Sequence, residues 1–309
     1  MAVNRIALLS SATDTARAPL WGDTWFAGSF ATALTRAGVT TQVHTYDVWN
    51  ASDAALAPVV VNLRGLHRYQ PRPGAVNVLW IISHGDEVTD DELDEFDLVL
   101  VASSSFTDQL RRRTQRRVEV FHQATDTTLF DPNRPVINPA HGIVVVANHR
   151  QPFRPGPRWL MELGIDFQLF GARWAGQPEA RFLAGGYVAN ERLNDIYATA
   201  DIVVADQWDA MSRDGFVANR IFDVAASGGF AISTPSPGIT GLFGKAVPQY
   251  GSRDELGELV RNCLRHPRRR RRLARRAMRI VRAEHSFDVR ARSLLALLGR
   301  DTADSGAAR

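Results

Sequence analysis

The chain has 309 residues, 45% hydrophobic and 23% charged, with a formal net charge of +4 and one cysteine, Cys263. At roughly 100–200 residues per domain, that length fits two globular domains with separate cores. A lone cysteine excludes an internal disulfide and thiolate metal sites, no apolar run approaches the ~20 residues of a membrane span, and "MAVNRIALLS" lacks a secretory cleavage site, so a cytoplasmic protein is expected.

In chain order, "RIALLS" reads as a buried strand and "WFAGSFATALTRAG" as a helix ending at Gly38. "TQVHTYD", "APVVVNL" and "VNVLWIIS" are the next strands, followed by the acidic helix "TDDELDEF", the strand "DLVLVAS", the helix "SFTDQLRRRT" and the strand "VEVFHQA". "FDPNRPVINPAHG" holds three prolines and marks a linker. The alternation then restarts with "IVVVAN", a helix near "GPRWLMELG", "DFQLFG", the helix "ERLNDIYATA", "DIVVAD", a helix around Asp223, the strand "GFAIST" and a C-terminal helical region. Short apolar strands between helices predict α/β architecture with parallel sheets covered on both faces. Two such halves are expected, 1–137 and 138–284, with 285–309 a final helix and tail.

In open α/β sheets, ligands bind at the carboxyl ends of strands, which directs attention to the loops after these strands. No G-x-G-x-x-G follows the first strand, and neither a P-loop nor a G-x-S-x-G elbow occurs, which disfavours dehydrogenases, P-loop enzymes and the usual serine hydrolases. No Asp-x-Asp is present either, so no metal or cofactor is expected. After "IVVVA" stand Asn148, His149 and Arg150, where an arginine could meet a phosphate. After "DIVVA" stand Asp206, Gln207 and Trp208, then "MSRDGFVANR". There Asp214 is expected to cap a helix whose first residues, Gly215 and Phe216, present backbone N–H groups to an anion, with Arg220 one turn further in.

Within "NRIFDVAASGGFAIST", helical spacing puts Val217, Ile221, Val224, Ala225 and Gly228 on an apolar face and Asn219, Arg220, Asp223 and Ser227 on the other. Two readings of Asp223 follow. It forms an exposed i, i+3 ion pair with Arg220, or it accepts hydrogen bonds from the vicinal hydroxyls of a ribose beside the helix.

The segment "DGFVANRIFDVAASGGFAISTPSPGITGLFG" resembles the nucleotide-sugar-binding core of the group 1 retaining glycosyltransferases, particularly the spore-maturation-protein (CgeB-like) branch. "WGDTWFAGSFATALTRAG", "VLWIISHGDEVTDDELDEFDLVLVASSSFTDQL", "QATDTTLFDP", "VVVANHR" and "YVANERLNDIYATADIVV" extend the likeness along the chain. The resemblance implies a GT-B fold: two facing Rossmann-like domains around a cleft, the first binding acceptor, the second the donor, and a last helix crossing back. It implies a retaining transfer from a UDP- or GDP-sugar to a glycan, lipid-linked or small-molecule acceptor, without metal. Carried over by position, Asp223 holds the donor ribose, and Gly215 and Phe216 lie near the diphosphate and sugar. Arg150 and Arg220 match positions that often carry phosphate-contacting cations, Asn148 and Asn219 belong to the donor-binding set, and Tyr187 and Val188 lie where the base pocket is lined. In the first half, Gly22 and Asp23 match the first-strand loop, and His84 matches a histidine that reaches the transferred sugar.

The sequence departs from the family in two places. Many group 1 enzymes carry two glutamates separated by seven residues, whereas here Gly215 stands eight before Asp223 and Asp214 one further back. Gln207 stands where relatives often have histidine. A GT-B nucleotide-sugar epimerase, with His84, Asp23 and Asp126 as its acid–base groups, and a noncatalytic nucleotide or glycan binder are the alternatives.

The run "RHPRRRRRLARRAMRIVRAEH" reads as a solvated helix face with Leu264, Leu273, Ala277, Ile280 and Val281 inward, or as a contact for anionic membrane through Arg265–Arg276. It interleaves no aromatic residues, so single-stranded nucleic acid is not an expected partner.

Overall fold

The computed structural model describes residues 3–18, 21–50, 54, 56–149 and 154–307, with side chains described through residue 299. The chain packs as two compact units: Met1–Ala124 with Asp214–Phe216 and His285–Arg309, and Thr125–Arg213 with Val217–Glu284.

The first unit is built from β1 (Arg5–Leu9), α1 (Gly22–Arg36), β2 (Thr40–His44), β3 (Val59–Arg64), β4 (Val76–Ile81), α2 (Asp90–Asp94), β5 (Leu98–Val101), α3 (Ser104–Leu110) and β6 (Arg117–Val120). Its strands form one six-stranded sheet in the order β2-β1-β3-β4-β5-β6, parallel throughout. Every residue of β3 and β5 is buried, as expected of strands covered on both faces. The chain leaves β1 toward β2 and returns on the other side at β3, so a topological switch point lies between the ends of β1 and β3.

The second unit contains β7 (Ile143–Val146), α4 (Pro155–Glu162), β8 (Gln168–Phe170), β9 (Leu183–Gly185), α5 (Leu193–Thr199), β10 (Ile202–Ala205), α6 (Asp209–Arg213), α7 (Asn219–Ala226), β11 (Ala231–Ser233), α8 (Pro237–Phe243), α9 (Arg253–Arg265) and α10 (Pro267–Glu284). Its five parallel strands run β11-β10-β7-β8-β9, with the switch point between β7 and β10. Val144, Val203 and Ala205 face a core shared with Tyr197, Ile221 and Ala277; Val145, Val204 and Ile232 face Leu160, Leu256 and Val260. The proline-rich segment at the expected boundary is bonded to this unit: Asn194 accepts from the Asp131 N–H, and Asp195 from the N–H groups of Ile137 and Asn138.

The last helix, α11 (Phe287–Ala307), belongs to the first unit. Phe287 meets Phe26 edge-on at 4.8 Å, Phe26 and Phe30 pack on Trp80, and Arg36 pairs with Asp288 at 2.7 Å.

Two boundaries differ from expectation. Helix α1 starts at Gly22, so Gly22 and Asp23 form its first turn instead of a loop. Helix α7 starts at Asn219, not at Gly215: Gly215 has φ +77°, outside helical geometry, and the preceding carbonyl of Asp214 accepts from Ser103 Oγ at 2.6 Å and Ser105 Oγ at 3.1 Å. Asp214 is therefore not the cap of α7. Ala218 takes that place, and among the described residues no side-chain cap is made there.

Candidate functional site

In the second unit the switch point is packed to backbone contact. Gly171 follows β8 with φ +144°, and a Cβ there would stand 2.0 Å from the Ala147 carbonyl oxygen, so only glycine fits. The Ala172 N–H donates to Asn148 Oδ1 at 2.8 Å, and Trp174 Nε1 donates to the Ala147 carbonyl at 2.7 Å. Asn148 thus pins the loops after β7 and β8 together. Arg150 lies outside the described residues.

Arg154, just ahead of α4, donates to the Asn148 carbonyl at 2.7 Å and pairs with Asp206 at the end of β10. Both side chains are buried. Burial presses the Arg154 guanidinium pKa down; Asp206 opposes that, and the positive charge of Arg220 adds to it. Arg220 is half-buried, and its positive charge acts on the buried Tyr197 hydroxyl. Two guanidiniums that repel one another beside an uncapped helix N-terminus form a site electrostatically suited to an anion. Gln207 sets that N-terminus: its Oε1 accepts from the Ala218 N–H at 3.1 Å, and its own N–H donates to Thr234 Oγ1 at 3.3 Å.

Asp223, one turn into α7, is buried, and Ser227 is buried with it, so this side of the helix is not a solvated face. Nor does Asp223 pair with Arg220. Its Oδ1 accepts from Thr125 Oγ1 at 2.6 Å and its Oδ2 from Asn219 Nδ2 at 3.0 Å. Burial still pushes its pKa up to about 7, against these two hydrogen bonds and the charge of Arg220. Each carboxylate oxygen keeps one further lone pair for a ligand hydroxyl. Tyr187 and Val188 line a cavity of about 290 Å³ with Phe170, Gly185, Gly186 and Ile196.

The first unit brings Asp23 and His84 together at its own switch point. Gly65, after β3, is so close that a Cβ would stand 2.6 Å from Ser11 Oγ and 3.3 Å from Asp23 Oδ2. His84, after β4, has the left-handed backbone φ 51°, ψ 40°, and its Nδ1 lies 2.9 Å from Ser83 Oγ. A non-glycine residue rarely adopts that conformation, and such strain concentrates at functional sites. Burial lifts the Asp23 carboxyl pKa, and the charge of His84 opposes it, which places the two groups within electrostatic reach. Gly215 and Phe216 contact this unit: Phe216 packs on Phe106 at 5.5 Å, and a Cβ on Gly215 would meet Ser105 Oγ at 2.2 Å. Among the described residues, no group of three or more His, Cys, Asp or Glu gathers to hold a metal.

Residues 150–296 match the model of a family described as glycosyl transferase-like. The chain also resembles solved structures over nearly its whole length. Sucrose-phosphate synthase from Thermosynechococcus elongatus is 14% identical with a TM-score of 0.71, covering 97% of this chain and 100% of that one. HepE from Anabaena, solved with UDP-glucose, is 12% identical with a TM-score of 0.64, covering 96% and 99%. The α,α-trehalose 6-phosphate synthase from Burkholderia multivorans is 11% identical with a TM-score of 0.63, covering 99% and 100%. The chain has the GT-B fold, and its glycosyl transferase-like match is confined to residues 150–296. At these identities the structural likeness is one of fold. No curated protein matches it in sequence.

Sequence reasoning missed several residues of this candidate site: Arg154, Thr125, Tyr197 and Ser11. Arg154 carried a faint signal, an arginine directly before the Pro155-Gly156-Pro157 helix start. Thr125 carried none, since its partner Asp223 lies 98 residues on.

Proposed function

We propose that the enzyme is a metal-independent, retaining glycosyltransferase of the spore-maturation-protein (CgeB-like) branch. It moves a sugar from a UDP or GDP donor to a glycan, lipid-linked or small-molecule acceptor, in a cytoplasmic setting. The observation that carries this reading is the pair Arg154 and Arg220 beside the uncapped start of α7, with Asp223 one turn inside. A diphosphate at the helix start meets both guanidiniums, and a ribose alongside α7 donates its hydroxyls to Asp223. The cavity at Tyr187 and Val188 takes the base. That HepE was solved with UDP-glucose on the same fold supports the donor class.

Cleaving the sugar–diphosphate bond places negative charge on the departing oxygen, where fixed cations and backbone N–H groups stabilise it without a metal ion. No carboxylate is assigned as a covalent nucleophile. The acceptor hydroxyl therefore attacks the face the diphosphate leaves, its proton passes to the leaving phosphate oxygen, and configuration is retained. His84 and Asp23, on the first unit, are assigned to orienting the transferred sugar and the acceptor.

The test is UDP and GDP release from a panel of sugar donors, with and without acceptor, for the native enzyme and for Asp223→Ala and Arg220→Ala. Acceptor-dependent release that both variants abolish supports the reading. Donor affinity unchanged in both variants would remove the assigned pocket. Tight nucleotide binding with no turnover under any acceptor would favour a noncatalytic binder.

A further inference from the structure

We propose that the exposed face of α10 is a docking surface for an anionic lipid bilayer. The helix buries Ala274, Ala277 and Val281, and at 100° per residue these point opposite to Arg268, Arg272, Arg275 and Arg279. The outward arc holds only arginines and Ala283, and from Arg268 to Arg282 it runs about 21 Å at ~1.5 Å per residue. Arg282, at the edge of the arc, is paired with Asp131, and Arg270, on the inward side of the helix, with Asp201. Arg268, Arg272, Arg275, Arg276 and Arg279 are exposed and form no ion pair with any described carboxylate.

The charge is local. Pro267–Glu284 contains nine arginines and one carboxylate, Glu284, which leaves the rest of the chain with 28 basic and 32 acidic residues. A general preference for arginine over lysine, of which Lys245 is the sole example, does not concentrate charge in this way. A straight row of unpaired guanidiniums on an outward helix face matches a plane of lipid phosphates, each of which a guanidinium can engage bidentately. The arc carries none of the Asn, Gln, Ser or Thr side chains that read base edges and no aromatic ring to stack a base, which favours the bilayer over nucleic acid. It also exposes no large apolar side chain, so binding is electrostatic adsorption, not insertion.

The experiment is flotation of the full chain with vesicles of phosphatidylcholine alone or mixed with phosphatidylglycerol, at low and high salt. The native protein is compared with the quadruple variants R268Q/R272Q/R275Q/R279Q and R268K/R272K/R275K/R279K. The native chain is expected to float only with anionic vesicles and to be released by salt. At about fivefold in partitioning per arginine, the Gln variant should bind several-hundred-fold more weakly. The Lys variant, which keeps the charge, should still bind, and this reports on the proposal even if the Gln variant fails to fold. Equal flotation with neutral vesicles, no flotation at all, or undiminished binding by a folded Gln variant would overturn the proposal. So would tighter binding to a DNA duplex or to polyuridylate than to the anionic vesicles.

Discussion

The Thr125 hydroxyl donates to Asp223 Oδ1 at 2.6 Å, joining the segment that enters the second unit to the acid of α7. The bond favours the charged form of Asp223 and fixes its rotamer, so it acts on the proposed ribose ligand without touching donor. Thr125→Val keeps the shape and removes the donor. We expect it to weaken donor affinity about tenfold, with the Asp223 titration moved upward. Calorimetric titration of the nucleoside diphosphate at several pH values checks both effects.

Asp223 itself predicts a pH dependence of stability. Its carboxyl titrates near 7 in the fold, against 3.8 ordinarily, so between these values the native state binds the proton more tightly than the unfolded chain. Stability from this group is therefore highest at low pH and falls as pH rises through that window, by up to roughly 1.4 kcal/mol per unit. Asp223→Asn should flatten that limb of the melting-temperature profile. Donor binding needs the carboxylate, so in the native enzyme it should strengthen as pH rises through 7.

His84 combines backbone strain with an assigned role. His84→Gly removes the left-handed penalty of about 1 kcal/mol while deleting the imidazole. The expected result is turnover reduced at least a hundredfold with the melting temperature unchanged or raised, read by paired activity and thermal-melt measurements. A large fall in stability would instead mark the histidine as structural.

Gly171→Ala should damage the second unit, because the added Cβ meets the Ala147 carbonyl and the backbone stays at φ +144°. A loss of about 3 kcal/mol or more is expected, measured by urea unfolding, along with lost nucleotide binding.

His285 gives the opposite pH sign. Burial, Arg290 and His122 push its pKa down to about 3, while Arg290 Nη2 donates to its Nδ1 at 2.7 Å. The fold holds the ring neutral, so stability is lost as pH falls below 6.5 toward 3, where the unfolded chain takes up the proton first. His285→Gln should reduce that acid sensitivity in melts between pH 6.5 and 4.

The central strands β1, β3, β4, β5, β7 and β10 were legible because each is a short apolar run, and a strand buried on both faces shows itself in composition alone. β9 escaped, being three residues, Leu183-Ala184-Gly185, with none of its side chains fully buried. The start of α7 was misplaced because Asp214-Gly215 imitates a helix cap; the serine hydroxyls that hold the Asp214 carbonyl lie more than a hundred residues earlier. Asp223 was legible as a residue of interest, but not its burial, since both the hydroxyl that partners it and the layers that cover it are brought in by the fold. Arg154 shows the same limit: only the Asp206 carboxylate and the Asn148 carbonyl distinguish it from the chain's many other arginines.

Phe287 completes the aromatic stack of Phe26, Phe30 and Trp80, yet 160 residues, Thr125–Glu284, separate it from the other strands and helices of that core. At 5–20 residues per second, a ribosome needs roughly ten to thirty seconds to deliver it. Throughout that interval the nascent first sheet carries an open hydrophobic notch over Trp80, and a chaperone that recognises aromatic surface has its longest opportunity to bind there.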